Sequence, residues 1–326
     1  MKIVTPLCCV ENYERLVDAG ADEFFCGYNS HNWLDKFSNI IPMNRREYLL
    51  SANICSMDEM RILAAFVEKY KKPVKITFNS LFYIKEQYDE IVKVIKQLME
   101  YNFDTFIISD IALIIYLYEH NVNCKVHLSG ETAEINSLMI DMLKDYNITR
   151  FVFHRKSTLE EITSCIKNCK DKNMEFEAFM LNELCPYTGA FCGSWHCDEL
   201  LHICDFPFQI KSFNSDLKCF DNVEKNMRIY NRAVKLKLQK IDETIDEKYE
   251  FGVTGCGVCK IWELEKAGVD FLKVVGRGKN IELLEKDIRK LRKLIDSTKD
   301  YSNSFDYSAY VKNDIGKCSG MCYYRE

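Results

Sequence analysis

FDTFIISDIALIIYLYEHNVNCKVHLS, residues 103–129, is the stretch whose reading decides the fold. Phe103–Asp110 has strand length and holds the apolar run TFIIS, IALIIYLYEHN is long enough for a helix, and KVHLS opens a second strand. A strand that is apolar on both faces suits a sheet covered on both sides, and strand–helix–strand is the unit from which parallel sheets are built. The same rhythm runs outward in both directions. Strands are expected at Met1–Thr5, Asp22–Tyr28 and Pro73–Asn79 before this stretch, and at Thr149–His154, Glu175–Leu181 and Phe271–Val275 after it, with helical stretches between them such as ETAEINSLMIDMLKDYN. Eight such units in 326 residues point to a TIM-like (β/α)8 barrel, with a doubly wound open sheet as the alternative. Two passages break the rhythm: Asn29–Ser56 lengthens the second unit, and Leu184–Gly255 follows strand seven. Loops of that length usually carry function or structure of their own. We expect a barrel over residues 1–297 that includes a cysteine-rich insertion at 184–255, followed by a short C-terminal tail at 298–326.

The insertion concentrates thiols. Of sixteen cysteines, Cys185, Cys192, Cys197 and Cys204 fall in ELCPYTGAFCGSWHCDELLHIC, and Cys256-Gly-Val-Cys259 follows. Thiols gathered in irregular polar sequence suit a metal centre, whereas core cysteines sit singly in apolar elements, the plain reading of Cys26, Cys55, Cys124, Cys165 and Cys169. The N-terminus lacks the apolar run of a secretory signal, and no segment approaches the roughly 20 apolar residues of a spanning helix. A cytoplasmic protein with no membrane segment is therefore expected. There thiols stay reduced, and cysteine richness reads as metal binding or redox chemistry rather than disulfides.

The net charge of −5 offers no global attraction to a nucleic-acid backbone, so nucleic acid is the less favoured partner class. One local candidate exists in segment 222–242, where Lys225, Arg228, Arg232 and Lys235 recur at helical spacing. A solvated face of an amphipathic helix is the favoured reading of them. There is no His-Glu-x-x-His helix and no Gly-x-Ser-x-Gly elbow to support peptidase chemistry.

Three segments in order carry a family resemblance: DAGADEFFCGY at 18–28, FMLNELCPYTGAFC at 179–192 with six residues between its cysteines, and ELEKAGVDFLKVVGRGK at 263–279. Together they resemble peptidase family U32, the collagenase-like proteases, over about residues 1–295. Despite the label, better-understood relatives are 4Fe-4S proteins that take part in oxygen-independent hydroxylation, in ubiquinone synthesis or on RNA bases. The resemblance puts the cluster ligands on Cys185, Cys192, Cys204 and Cys256, the last standing twelve residues before Gly268. Cys204 is chosen over Cys197 in a stretch of variable length, and Cys259 is a reserve for Cys256. An all-cysteine set selects iron–sulfur or zinc over harder metals, and zinc is the alternative cofactor. Cys8 and Cys9, and Cys318 with Cys322, are left over as candidates for a second site.

Polar residues at strand ends supply the catalytic candidates: Arg277 in Gly-Arg-Gly-Lys, His154, Asn79 and Arg155. An arginine among glycines can clamp a carboxylate or phosphate, and a histidine can move a proton near neutral pH. The combined expectation is an iron–sulfur oxidoreductase that hydroxylates a small or medium-sized organic substrate. RNA base hydroxylation, a true peptidase, or a non-catalytic subunit that binds a cluster and docks on a second U32-type barrel or its own copy are the alternatives. A mouth lined by Arg277, His154 and Asn79 favours the enzyme; an apolar plug favours the docking subunit.

Overall fold

The computed structural model describes residues 1–37, 40–47, 50–132, 135–169, 173–185, 250–316 and 318–324. Eight parallel strands form the sheet: β1 (Lys2–Pro6), β2 (Glu23–Tyr28), β3 (Val74–Phe78), β4 (Thr105–Ile108), β5 (Lys125–Leu128), β6 (Ile148–Val152), β7 (Glu175–Leu181) and β8 (Phe271–Val274). Each pairs with its sequence neighbour, and β1 pairs with both β2 and β8, Val4 opposite Glu23 and Lys2 opposite Phe271. The sheet therefore closes on itself as a TIM barrel, and the open-sheet alternative is excluded.

The helices of the outer layer among the described residues are α1 (Tyr13–Ala19), α2 (His31–Phe37), α3 (Met57–Tyr70), α4 (Lys85–Met99), α5 (Ile111–Glu119), α6 (Ser137–Leu143), α7 (Leu159–Asn168), α8 (Ile261–Ala267), α9 (Ile281–Asp296) and α10 (Ser304–Ile315). Local chemistry sets their starts. Ser56 and Glu59 form a capping box on α3, as Thr158 and Glu161 do on α7, and the Asp110 carboxylate caps α5 by accepting from Ala112 N at 2.9 Å. Helix α6 is shorter than the expected run from Glu131, because Asn136 takes the cap position and accepts from Leu138 N and Met139 N. No helix among the described residues is long and apolar enough to cross a membrane.

Inside the barrel, alternate residues of each strand face the axis, and the inward set is unusually polar. Part of its apolar share is the separate cluster Val4, Phe25, Ile107 and Phe271. Toward the N-terminal end lies a buried ion cluster. The Arg150 guanidinium reaches Glu23 through two bonds of 2.6 and 3.0 Å, Glu177 at 2.8 Å and Glu175 at 2.9 Å, and lies 3.4 Å over the Phe271 ring. Lys273 Nζ holds the other oxygen of Glu177 at 2.6 Å. Burial pulls the Arg150 pKa down, but the Glu177 and Glu23 carboxylates outweigh it and raise the pKa above its ordinary value.

The lengthened passage after β2 is an ordered arch rather than a bare loop. After α2 the chain runs over Ile41–Glu47 and then adds a two-residue strand, Asn53–Ile54, parallel to Gly27 and Tyr28 on the outer edge of β2. Buried polar groups strap the arch down: Asn44 Nδ2 donates to Asn29 Oδ1 and Asn53 Oδ1, Asn53 Nδ2 to Arg46 O at 2.7 Å, and Tyr83 Oη to Met43 O at 2.5 Å. Glu47 is fully buried, accepts from Trp33 Nε1 and Met43 N, and leaves Oε1 without a partner among the described residues. The arch carries Arg45 and Arg46 to the C-terminal mouth of the barrel.

Two predictions follow from this packing. Replacing Arg150 by Ala leaves three carboxylates facing a partner they have lost, and should cost roughly 3–5 kcal/mol in denaturant unfolding; a loss below about 1 kcal/mol would show that the cluster does not hold the barrel. Burial raises the Glu47 pKa to about 7, so the native state binds this proton more tightly than the unfolded chain. The Glu47 contribution is complete below the ordinary carboxylate range and is lost as pH rises through about 7, an effect on the order of 2–3 kcal/mol. Glu47→Gln should flatten that decline in unfolding curves measured from pH 5 to 8; an unchanged slope sinks the assignment.

Candidate active site at the barrel mouth

Above the apolar layer, at the C-terminal ends of the strands, a cavity of about 70 Å³ opens among Arg45, Arg46, Arg155 and Arg277, with Glu131, Glu183, Asn79 and Thr77. Four guanidiniums thus meet two carboxylates. Arg46 Nη2 pairs with Glu183 Oε2 at 2.6 Å and its Nη1 donates to Arg277 O at 3.0 Å. Arg155 pairs with Glu131 and lies 4.5 Å over the Phe179 ring, while its Nε has no hydrogen-bond partner among the described residues. Arg45 N donates to Asn79 Oδ1 at 3.2 Å, and Arg45 Nε stands 3.8 Å from Glu131 Oε2.

Arg277 is different. It is 5% exposed, donates through Nη1 to Thr77 Oγ1 at 3.3 Å, and has no carboxylate within 4.0 Å among the described residues. Burial, with the Arg46 charge next, lowers its pKa to about 10, which still leaves it cationic at neutral pH. A buried cation without a counter-ion is costly in the empty site and is stabilised by an anionic ligand. The mouth as a whole is built to receive negative charge.

The structure brings three of the four catalytic candidates together, since Arg277, Arg155 and Asn79 all line the mouth. His154 does not line it. The chain turns after β6, His154 Nδ1 accepts from Lys156 N at 3.2 Å, and burial lowers its pKa to about 4, so the ring is neutral at pH 7. Sequence reasoning missed Arg45 and Arg46. Their signal was the Asn-Arg-Arg-Glu run within the flagged passage 29–56, but nothing in the order of residues says that the passage folds back over the barrel.

Of the expected metal ligands, Cys185 and Cys256 are described, whereas Cys192, Cys204 and the alternate Cys197 lie outside the described residues, as does segment 222–242. The stretch before Cys256 returns antiparallel to the end of β7: Asn182 N donates to Gly255 O at 2.8 Å and Leu184 N to Thr254 O at 2.7 Å. Two half-buried thiols from distant parts of the sequence thus arrive at one edge of the mouth. Both are soft sulfur donors, and that donor chemistry fits an iron–sulfur or zinc centre. Cys259 faces α10, where Ser308 hydrogen-bonds its thiol. The left-over cysteines divide between two places. Cys8 Sγ accepts from Gly278 N at 3.0 Å beside Arg277, whereas Cys322 pairs with Cys256.

The family model described as peptidase family U32 matches residues 9–323. The tRNA hydroxylation protein P1 of Bacillus subtilis (strain 168) is 22% identical over 325 residues, which is 98% of this chain and 68% of that protein. The tRNA hydroxylation protein P of Escherichia coli (strain K12) is 30% identical over 99 residues, 30% of this chain and 21% of that protein. Among solved structures, the U32 peptidase Mk0906 shares 10% identity at a TM-score of 0.44, covering 85% of this chain and 94% of that one. With a family match that spans nearly its whole length, the chain belongs to peptidase family U32.

Proposed function

We propose that the chain is an iron–sulfur hydroxylase of the U32 family that holds a 4Fe-4S cluster through thiolates at the edge of the mouth and clamps an anionic group of its substrate with Arg277. The observation that carries this reading is the Arg277 guanidinium, buried at the mouth with no carboxylate within 4.0 Å among the described residues. Cys185, Cys192, Cys204 and Cys256 would hold the cluster, which supplies electron transfer or activation of an oxygen donor when bound. The chain's own residues do the rest. Arg277 and the Arg155 Nε donor orient the substrate; Glu131 and Glu183 fix the neighbouring guanidiniums; Phe25, Ile107, Val152 and Phe179 exclude water from the floor of the mouth. Neutral His154 is not the proton carrier at pH 7 in this arrangement.

The mouth is polar rather than plugged by apolar side chains, which supports an enzyme over a docking subunit. For the substrate, the names of the B. subtilis and E. coli relatives favour a tRNA base, and the four-arginine mouth suits a phosphate. This reverses the order suggested by the net charge, because a local cationic mouth counts for more at the site than the global balance. A small organic acid is the second reading, favoured by the narrow cavity.

Anaerobic purification should yield about four irons and four sulfides per chain, and a colourless protein with one zinc would end the redox reading. Expressed in B. subtilis lacking tRNA hydroxylation protein P1, the chain should restore the hydroxylated nucleoside, measured by mass spectrometry of digested tRNA. Arg277→Met should lower that yield by roughly 30-fold or more, from the 2–5 kcal/mol cost of truncating a buried charged contact. A cluster-loaded chain that leaves tRNA unmodified moves the substrate to the small organic acid.

A further inference from the structure

Two cysteine pairs meet where the C-terminal tail joins the wall of the mouth: Cys256-Gly-Val-Cys259 on the return stretch, and Cys318-Ser-Gly-Met-Cys322 after α10. Backbone pairing joins them. Cys256 N donates to Met321 O at 2.8 Å and Tyr323 N donates to Cys256 O at 2.9 Å, so Cys256 and Cys322 are register partners in a parallel bridge. Register partners project their side chains to the same side of a sheet, which sets these two thiols next to each other. The short 3-10 turn Val258–Lys260 then carries Cys259, and α10 packs against that turn, its Ser308 hydrogen-bonding the Cys259 thiol. Cys318 is brought in by the loop between α10 and the bridge, where Ser319 Oγ donates to Gly252 O at 3.1 Å and accepts from Met321 N at 3.2 Å.

The four thiols sense one another. Burial raises the Cys256 pKa most, Val258 N opposes it, and charge on Cys259, Cys322 and Cys318 raises it further. For Cys259 burial again comes first, Lys312 opposes it and Cys318 adds to it. Cys185 stands apart, since its charge is felt at Arg155 and Tyr323, behind the larger effects of burial there. The backbone is cleared around the group: a Cβ on Gly252, whose φ is +68°, would stand 2.9 Å from Cys256 Sγ. The tail that delivers two of the thiols is itself anchored. Tyr323 and Tyr324 are buried, the Tyr324 hydroxyl donates to Phe179 O at 2.5 Å, and a Cβ on Gly257 would stand 2.8 Å from the Tyr324 ring.

We infer that Cys256, Cys259, Cys318 and Cys322 form a four-thiolate site for a soft metal centre on the tail side of the mouth wall. The spacings, two residues between the first pair and three between the second, are those of paired thiolate ligands, and an all-sulfur set selects iron–sulfur or zinc. Four thiolates leave either centre with a net negative charge, and Lys312 and Lys260 act on Cys259 from nearby. Cys318 is exposed and the other three are half-buried, so metal can reach the site from solvent. No three cysteine sulfurs among the described residues lie within 4.8 Å of one another, as a single zinc with bonds of about 2.3 Å would hold them. That spacing favours a cluster, in which each thiolate binds a different iron. The inference goes beyond the cluster proposed above and competes with it at one residue. A thiolate serves one centre, and Cys256 is assigned here because the thiols around it are Cys259, Cys318 and Cys322. Loading locks the tail, and with it Tyr323, which stacks on the Phe179 ring over which Arg155 lies.

The test uses the full chain, purified anaerobically, and compares wild type, Cys259→Ser, the double variant Cys318→Ser/Cys322→Ser and Cys185→Ser by iron, sulfide and zinc content. Cys259→Ser and the double variant should each lose the same complement, about four irons with four sulfides or about one zinc, and the two combined should lose no more. Wild-type content in both overturns the inference and, with a loss in Cys185→Ser, leaves the mouth cluster standing. Loss in both with none in Cys185→Ser keeps the inference and ends the mouth cluster. Should wild type hold neither iron nor zinc, cobalt titration of the unloaded protein decides the site alone. A thiolate-to-cobalt absorption weaker in Cys259→Ser and in the double variant than in Cys185→Ser supports the site; equal bands overturn it. Thermal melting of the unloaded variants, with Cys318→Ala/Cys322→Ala as a second replacement, separates ligand loss from unfolding.

Discussion

The ion cluster around Arg150 is the interaction on which the rest of this barrel depends. Barrel interiors of this class are usually filled by layers of branched apolar side chains. Here the separate apolar layer is four residues deep in sequence terms, and the space below it holds a guanidinium tied to carboxylates on β2 and β7. Glu23 and Arg150 stand on strands that are not neighbours in the sheet, so their bidentate contact crosses the axis. A buried charge stripped of its partners is far more costly than the pair is stabilising, so the cluster enforces the inward orientation of every strand that contributes to it. The Glu23–His127–Glu177 grouping inside it could be mistaken for a metal site. Arg150 and Lys273 already neutralise its carboxylates, and an added dication would be repelled.

That orientation is what puts the mouth residues where they are. Lys273 belongs to the ion cluster through Glu177 and also lines the floor of the mouth; two residues on, Val275 follows, and Arg277 completes the same inward series. Thr77 and Asn79 arrive by the same step of two along and beyond β3. The functional arginines then come from two sources: Arg155 and Arg277 from strand ends, and Arg45 and Arg46 from the strapped arch. The arch is rigid because asparagine side chains replace the ladder bonds that a loop lacks, with Asn29, Asn44 and Asn53 meeting in a buried triangle.

The cysteine edge obeys a similar logic. Residues 254–257 and the tail extend the end of β7 as a small added sheet, so thiols 71 residues apart in the chain, Cys185 and Cys256, reach one edge through backbone pairing. The same pairing draws the tail into the wall of the mouth, where Tyr323 and Tyr324 bury their rings and satisfy β7 carbonyls.

All eight strands, the interruptions after β2 and β7, and the strand-end candidates Arg277, Arg155 and Asn79 were legible in the residues, because apolar periodicity and strand-end polarity are local properties. The start of α6 was misjudged through a local competitor, the Asn136 cap. Other features depend on partners far away in sequence. His154 looked as eligible as Arg155 until the turn after β6 carried it out of the mouth. Arg45 and Arg46 became mouth residues only through the arch. By itself, then, the sequence determined the period-two and helical rhythm, the barrel class and the thiol supply. Only the tertiary structure decided which parity of each strand faces the axis, which arginine lacks a carboxylate, and which thiols share an edge, because those are distances set by barrel closure and backbone pairing between segments that the order of residues leaves unconnected.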